Sequence, residues 1–225
     1  GGYPYMGGGG LGWAVLLGVL FAVGRSALRP GGGGPLLDAG GESIGVAKVQ
    51  VGLLGSARGV QDDLDRIAKR ADTSSSAGLH YILEETVLAL LRVPEYWVYG
   101  HTEGATLRGP EAAEGRFNEL EMEERMKVKE ETLVNFSGRT RRAAQLGADG
   151  GPNEFIVVTL LVAADGAVKL PKVGGRQELT TALKRLGAVA TERVQAVEVL
   201  WSPQDRSDCL SQEDIIADYP DLRIL

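Results

Sequence analysis

The sequence predicts an α+β fold: a mostly antiparallel four-stranded sheet with helices packed on one face, preceded by one N-terminal transmembrane helix. Three observations predict it. From Ile44 onward, strand and helix signals alternate in the order β-α-α-β-α-β-α-β-α. Four segments carry strand chemistry, and one of them, EFIVVTLLVAADG (Glu154 to Gly166), is apolar on both faces, as an interior strand must be. Ahead of them an uncharged apolar run, LGWAVLLGVLFAVG (Leu11 to Gly24), lies between two glycine-rich stretches.

That front end divides the chain into residues 1–45 and a soluble domain over residues 46–225. GGYPYMGGGG and RPGGGGPLLDAGG bury too little surface to offset their chain entropy and read as flexible tethers. Between them, the uncharged stretch reaches spanning length over about 6–24 or 11–28, since a bilayer core needs roughly 20 apolar residues. No basic segment precedes it, as a signal peptide would require. A buried core helix would not be isolated between two tethers. Arg25 and Arg29 follow the span and no Lys or Arg precedes it, so the positive-inside bias sets the C-terminal bulk on the cytoplasmic side.

In the domain, VAKVQVGLL (Val46 to Leu54) alternates apolar and polar residues as a half-buried strand does. In GVQDDLDRIAKRAD, residues Val60, Leu64, Ile67, Ala68 and Ala71 form one helical stripe. Thr73 and the serines after it offer N-caps for a second helix, on which Leu79, Ile82, Leu83, Val87, Leu90 and Leu91 form a broad apolar face. A helix apolar over most of its girth packs on two sides. Pro94 stops it, and YWVYGHTEG follows as a strand with Tyr96 and Val98 on one face and Trp97 and Tyr99 on the other. The next helical region is charged, with Phe117, Leu120, Met122 and Met126 as sparse anchors. After the strongest strand come a short amphipathic helix closed by Gly187, a fourth strand at VQAVEVLWSP, and a capping box from Ser211 to Asp214 that opens a last helix.

Composition excludes several function classes. With 24 Lys and Arg against 30 Asp and Glu, the chain lacks the basic face that nucleic-acid binding needs. A lone cysteine, Cys209, rules out an internal disulfide and a cysteine-based zinc site. His80 and His101 have no partner at metal-ligand spacing and read as structural or surface histidines. Asp62, Asp63 and Asp65 fall on a helix and lack the glycine and terminal glutamate of a calcium loop. Asp208 and Glu213 oppose any lowering of the Cys209 pKa by the helix that follows. Asn135 heads a formal glycosylation sequon, meaningful only in a secretory compartment. No phosphate-cradling loop and no Ser/His/Asp set is present, so neither an enzyme nor a cofactor is expected. Arg139, Arg141 and Arg142 are concentrated in SGRTRR, suited to anionic lipid head groups or an acidic partner.

The run VQVGLLGSARGVQDDLDRIAKRADTSSSAGLHYILEETVLALLRVPEYWVYG is very similar to the signature of a family shared by cyanobacteria and plastids that includes the plant fluctuating-light acclimation protein. RFNELEMEER, EFIVVTLLVAADGAVKLP and AVEVLWSPQDRSDCLSQEDIIADYP continue the resemblance. It implies a membrane-anchored protein of an oxygenic phototroph, at the plastid thylakoid or envelope, and a connection with photosynthetic acclimation; the positive-inside bias then puts the domain in the stroma, the plastid equivalent of the cytoplasm. It brings no catalytic residues. Where the family usually shows threonine, this chain has Cys209. The expected function is a non-enzymatic accessory or regulatory subunit of a photosynthetic membrane complex. Trp13, Phe21, Arg25, Arg29, Arg139, Arg141 and Arg142 are the residues expected to touch protein subunits or membrane lipids. The alternative is a tethered ligand-sensing or enzymatic domain whose pocket gathers Tyr96, Trp97, Tyr99, His101 or Glu84.

Overall fold

The computed structural model describes residues 43–136, 154–203 and 208–225, with the side chains of the long third helix described through Lys127. The expected membrane helix, with Trp13, Phe21, Arg25 and Arg29, lies outside these residues, as do Arg139, Arg141 and Arg142. Among the described residues no helix is long and apolar enough to cross a membrane.

Over the described residues the domain is an α+β fold with five strands, where the sequence predicts four. In chain order it runs β1 (Ser43–Leu54), α1 (Arg58–Arg70), α2 (Ser76–Leu91), β2 (Trp97–Arg108), α3 (Pro110–Phe136), β3 (Phe155–Asp165), α4 (Arg176–Gly187), β4 (Val194–Ser202), α5 (Gln212–Asp218) and β5 (Arg223–Ile224). One-turn 3-10 helices at Pro94–Tyr96 and Thr191–Arg193 lead into β2 and β4. The sheet order is β4-β3-β1-β2-β5, antiparallel throughout. The fifth strand escapes a periodicity reading because two residues cannot show a period.

Helices cover both faces of the sheet, not one. On the first face Val49, Val51, Val158, Leu160, Val197 and Val199 pack with residues of α1, α2 and α4 in the main core. On the second, Ile44, Val46, Leu161, Ala163 and Ala196 pack against Ala113, Phe117 and Leu120 of α3. A third cluster, Tyr99, Phe155 and Val157 with Ile215 and Tyr219, seats α5 beside α3 on this second face. Strand alternation explains the division: successive side chains leave a strand on opposite sides, and both sides here are covered.

Local signals fix the helix ends. Ser75 caps α2, its hydroxyl accepting from the Gly78 amide. Ser211 and Asp214 form the reciprocal capping box of α5. Gly109, at φ 82°, turns β2 into α3 just before Pro110, a left-handed conformation that a side chain would strain. A register shift between Gly52 and Leu53 matters for the next strand. It brings Trp97 opposite Leu53 and Tyr99 opposite Gly52, so the two aromatics leave on different faces instead of the same one.

Candidate functional site

The candidate site is a layer of charged groups sealed between α3 and the sheet. β1 alternates, and its polar positions Lys48 and Gln50 fall on the second face with Glu103, Thr159 and Glu198 of the neighbouring strands. Above them α3 supplies Glu124, one turn beyond Phe117 and Leu120 on the same buried stripe. Lys48, Gln50, Glu124, Thr159 and Glu198 are each 3% exposed or less. Ionic groups at that depth persist only when paired and hydrogen-bonded.

Glu124 is the hub. One carboxylate oxygen accepts from Gln50 Nε2 at 3.0 Å and from the Thr159 hydroxyl at 3.2 Å. The other accepts from Lys127 Nζ at 2.8 Å and faces Lys48 Nζ at 3.7 Å. Lys48 also pairs with Glu103 at 3.2 Å, and Arg116 of α3 closes on Glu103 from above. Burial alone would raise the Glu103 pKa, but Lys48 and Arg116 outweigh it and hold the carboxyl below the usual range.

Beside this hub Glu198 accepts from Arg125 Nε at 3.1 Å and Nη2 at 3.0 Å, and Arg125 also pairs with Glu121. Burial, and then the neighbouring Glu121 charge, push Glu198 up to about 7 against the pull of Arg125. The second oxygen of Glu198 is buried without a hydrogen-bond partner. A perturbed carboxyl of this kind marks either a reactive site or a structural ion network. At 1% exposure, no substrate reaches Glu198 unless α3 lifts. The arrangement therefore holds α3 on the sheet.

The aromatic strand does not assemble the pocket foreseen as the alternative. Trp97 is buried in the main core and donates its indole N–H to the Leu90 carbonyl at 3.2 Å. Tyr99, on the opposite face, meets Phe155 edge to face at 5.2 Å. Tyr96 belongs to the 3-10 turn and packs on the main core, while Glu84 is exposed on α2 beside His80. His101 shares the second face with Gln50. Burial, then Lys48, lower its pKa against the opposing pull of Asp221 and Glu103, so the imidazole is neutral near pH 7, and Nε2 is buried without a partner.

Cys209 is half-buried and its sulfur accepts from Arg58 Nη2 at 3.3 Å. Burial raises the thiol pKa; Arg58 lowers it, while Glu154 and Asp208 add to the rise. Asp62, Asp63 and Asp65 remain a solvent-side set on α1, and among the described residues no group of three or more metal-ligating side chains occurs.

Sequence reasoning missed the buried layer because it read the polar positions of β1 as solvent-facing. The signal was in α3: Ala113, Phe117, Leu120 and Glu124 recur at helical spacing and end on a carboxylate opposite a strand lysine. Met122 and Met126, foreseen as anchors, are instead 64% and 55% exposed.

A family model described as "Protein of unknown function (DUF1517)" matches residues 43–225, the whole of the described domain. The chain is 42% identical over 203 residues to Protein FLAP1 homolog A of Synechocystis sp., covering 86% of this chain and 61% of that relative. It is 45% identical over 185 residues to Fluctuating-light-acclimation protein 1, chloroplastic, of Arabidopsis thaliana, covering 82% of this chain and 47% of that relative. The chain thus spans about half to three fifths of the length of these curated relatives. No solved structure matches it.

Proposed function

The chain belongs to the DUF1517 family, which has cyanobacterial and plastid members, and from that premise we propose that it is a non-enzymatic accessory or regulatory protein of light acclimation. The observation that carries this reading is the likeness to a chloroplast protein named for acclimation to fluctuating light. The buried chemistry supports the non-enzymatic part. Lys48, Glu103, Glu124 and Glu198 are engaged with one another and with α3, so their charge is spent on holding an element in place.

In this proposal the partner is a photosynthetic membrane complex. The apolar run near the N-terminus anchors the chain in the plastid thylakoid or envelope membrane, and the domain docks on the stromal side. Trp13, Phe21, Arg25 and Arg29 then face lipid or partner helices, and Arg139, Arg141 and Arg142 meet acidic protein or lipid groups.

The test is gentle detergent solubilisation of the native membranes, capture on this chain, and pigment and mass analysis of what co-purifies. Stoichiometric recovery of photosystem subunits is the expected result. Recovery as a free, pigment-less protein overturns the reading.

A further inference from the structure

Among the described residues the outer edge of β2 beyond β5 is left open, with two lysines beside it. β5 pairs with β2 only at Tyr99 and Gly100, and the Leu225 amide donates to the Val98 carbonyl at 3.0 Å at the end of that pairing away from Thr102. Antiparallel alternation turns the peptide groups of Thr102, Gly104 and Thr106 to the same outer side. Among the described residues no strand pairs with them. Natural sheets blunt or cover such edges, because an unpaired ladder recruits another strand.

This edge is bordered by a cavity of about 520 Å3 formed between Thr102–Thr106 and the segment Val168–Lys172. That segment is fixed: the Thr102 hydroxyl donates to the Pro171 carbonyl at 2.6 Å, and Arg185 donates to the Lys169 carbonyl at 2.8 Å. The charges around the cavity are one-sided. Glu103, its one acidic lining residue, is already held by Lys48 and Arg116 on the opposite sheet face. Lys169 and Lys172 are exposed, and among the described residues neither pairs with a carboxylate. In a chain of net charge -6, a strand edge carrying unpaired lysines selects an acidic occupant.

We propose that the β2 edge between Thr102 and Thr106 captures an extended acidic segment of a partner protein, which adds a strand to the sheet and sets alternate Asp or Glu side chains against Lys169 and Lys172. The main chain supplies ladder bonds, and the period of two supplies the choice of sequence. The exposed edge is about 13 Å long, enough for roughly five residues of strand. The inference rests on the docking role proposed above and names the chemistry of its partner.

The test uses the full chain in detergent micelles and a fluorescent peptide of about eight residues alternating Glu and Val. Anisotropy should report saturable binding. Three changes should abolish it or weaken it at least about tenfold: the Lys169→Glu, Lys172→Glu double variant, N-methylation of alternate peptide amides, and replacement of Glu by Lys in the peptide. The two lysines are exposed, so the double variant keeps the fold. Gly104→Pro, which removes one outward N–H from an edge position, is an independent block on the same ladder. No binding, or binding indifferent to N-methylation, overturns strand addition. Self-association of the chain that Gly104→Pro abolishes overturns the acidic partner in favour of a second copy. If the peptide fails but photosystem subunits still co-purify, docking uses another surface and only this inference falls. If the peptide binds and those subunits do not co-purify, the edge stands and the photosynthetic partner falls.

Discussion

Replacing Glu198 by Gln should make the domain less sensitive to alkali. The Glu198 carboxyl has an ordinary value of 4.5 and is pushed up to about 7 in the folded state. Below 4.5 both folded and unfolded chains are protonated there, and the stabilising term is fully present. Between 4.5 and about 7 the folded chain keeps a proton that the unfolded chain has released, so stability falls as pH rises through this window. At 1.36 kcal/mol per pKa unit the ceiling is about 3 kcal/mol, of which roughly 2–3 kcal/mol falls between about pH 5 and about pH 8. Gln does not titrate. The stability of Glu198→Gln relative to the native chain should therefore rise by that amount between about pH 5 and about pH 8. Urea unfolding, followed by the fluorescence of the buried Trp97 and Trp201, gives both free energies directly. A difference that stays flat across this range refutes the argument, and so does one that grows toward acid. Arg125→Met removes the cation that opposes the shift and should move the midpoint upward, at the cost of leaving Glu198 buried beside Glu121.

Three further outcomes check other parts of the structure. Phe117→Ala empties the centre of the α3 contact and should cost about 3–5 kcal/mol in urea unfolding, with early loss of amide protection in α3. Ser211→Ala removes the hydroxyl that accepts from the Asp214 amide and should cost about 1 kcal/mol, read as faster amide exchange at the start of α5. The Cys209 thiol should react with a disulfide reagent more slowly than free cysteine near pH 8, with its midpoint shifted upward from that of free cysteine, because burial and the Glu154 and Asp208 charges outweigh Arg58; Arg58→Ala should slow it further.

Much of the framework is legible in local sequence patterns. The β3 segment is apolar at every position from Phe155 to Leu161 except Thr159, and it lies inside the sheet between β1 and β4. The Ser211–Asp214 box and the stop at Pro94 are local chemistry, readable within a few residues. What stayed hidden depends on distant parts of the chain. Lys48 and Gln50 look like the wet side of a strand until α3 is laid on them, and no pattern within β1 reports that a helix more than sixty residues later carries the matching carboxylate. The bulge at Val98, opposite the Gly52–Leu53 step, that parts Trp97 from Tyr99 is likewise a property of two strands together. The same holds for the open edge of β2, which is defined by how little of it β5 covers.

The sheet order also sets a timetable for synthesis. β1 is the central strand and the first of the described elements to leave the ribosome, yet its two neighbours arrive far apart: β2 is complete at Arg108, and β3 only at Asp165. At roughly 5–20 residues per second, one flank of β1 waits about 3–11 s for its partner. In that interval α3 has emerged, and Lys48 can already engage Glu103 and Glu124. The charged layer is thus assembled from early material, and Thr159 and Glu198 come to it late, with β3 and β4. A nascent chain stalled before Phe155 would carry a bare, valine-rich edge, so the domain's exposure to misassembly is concentrated in the time between two strands.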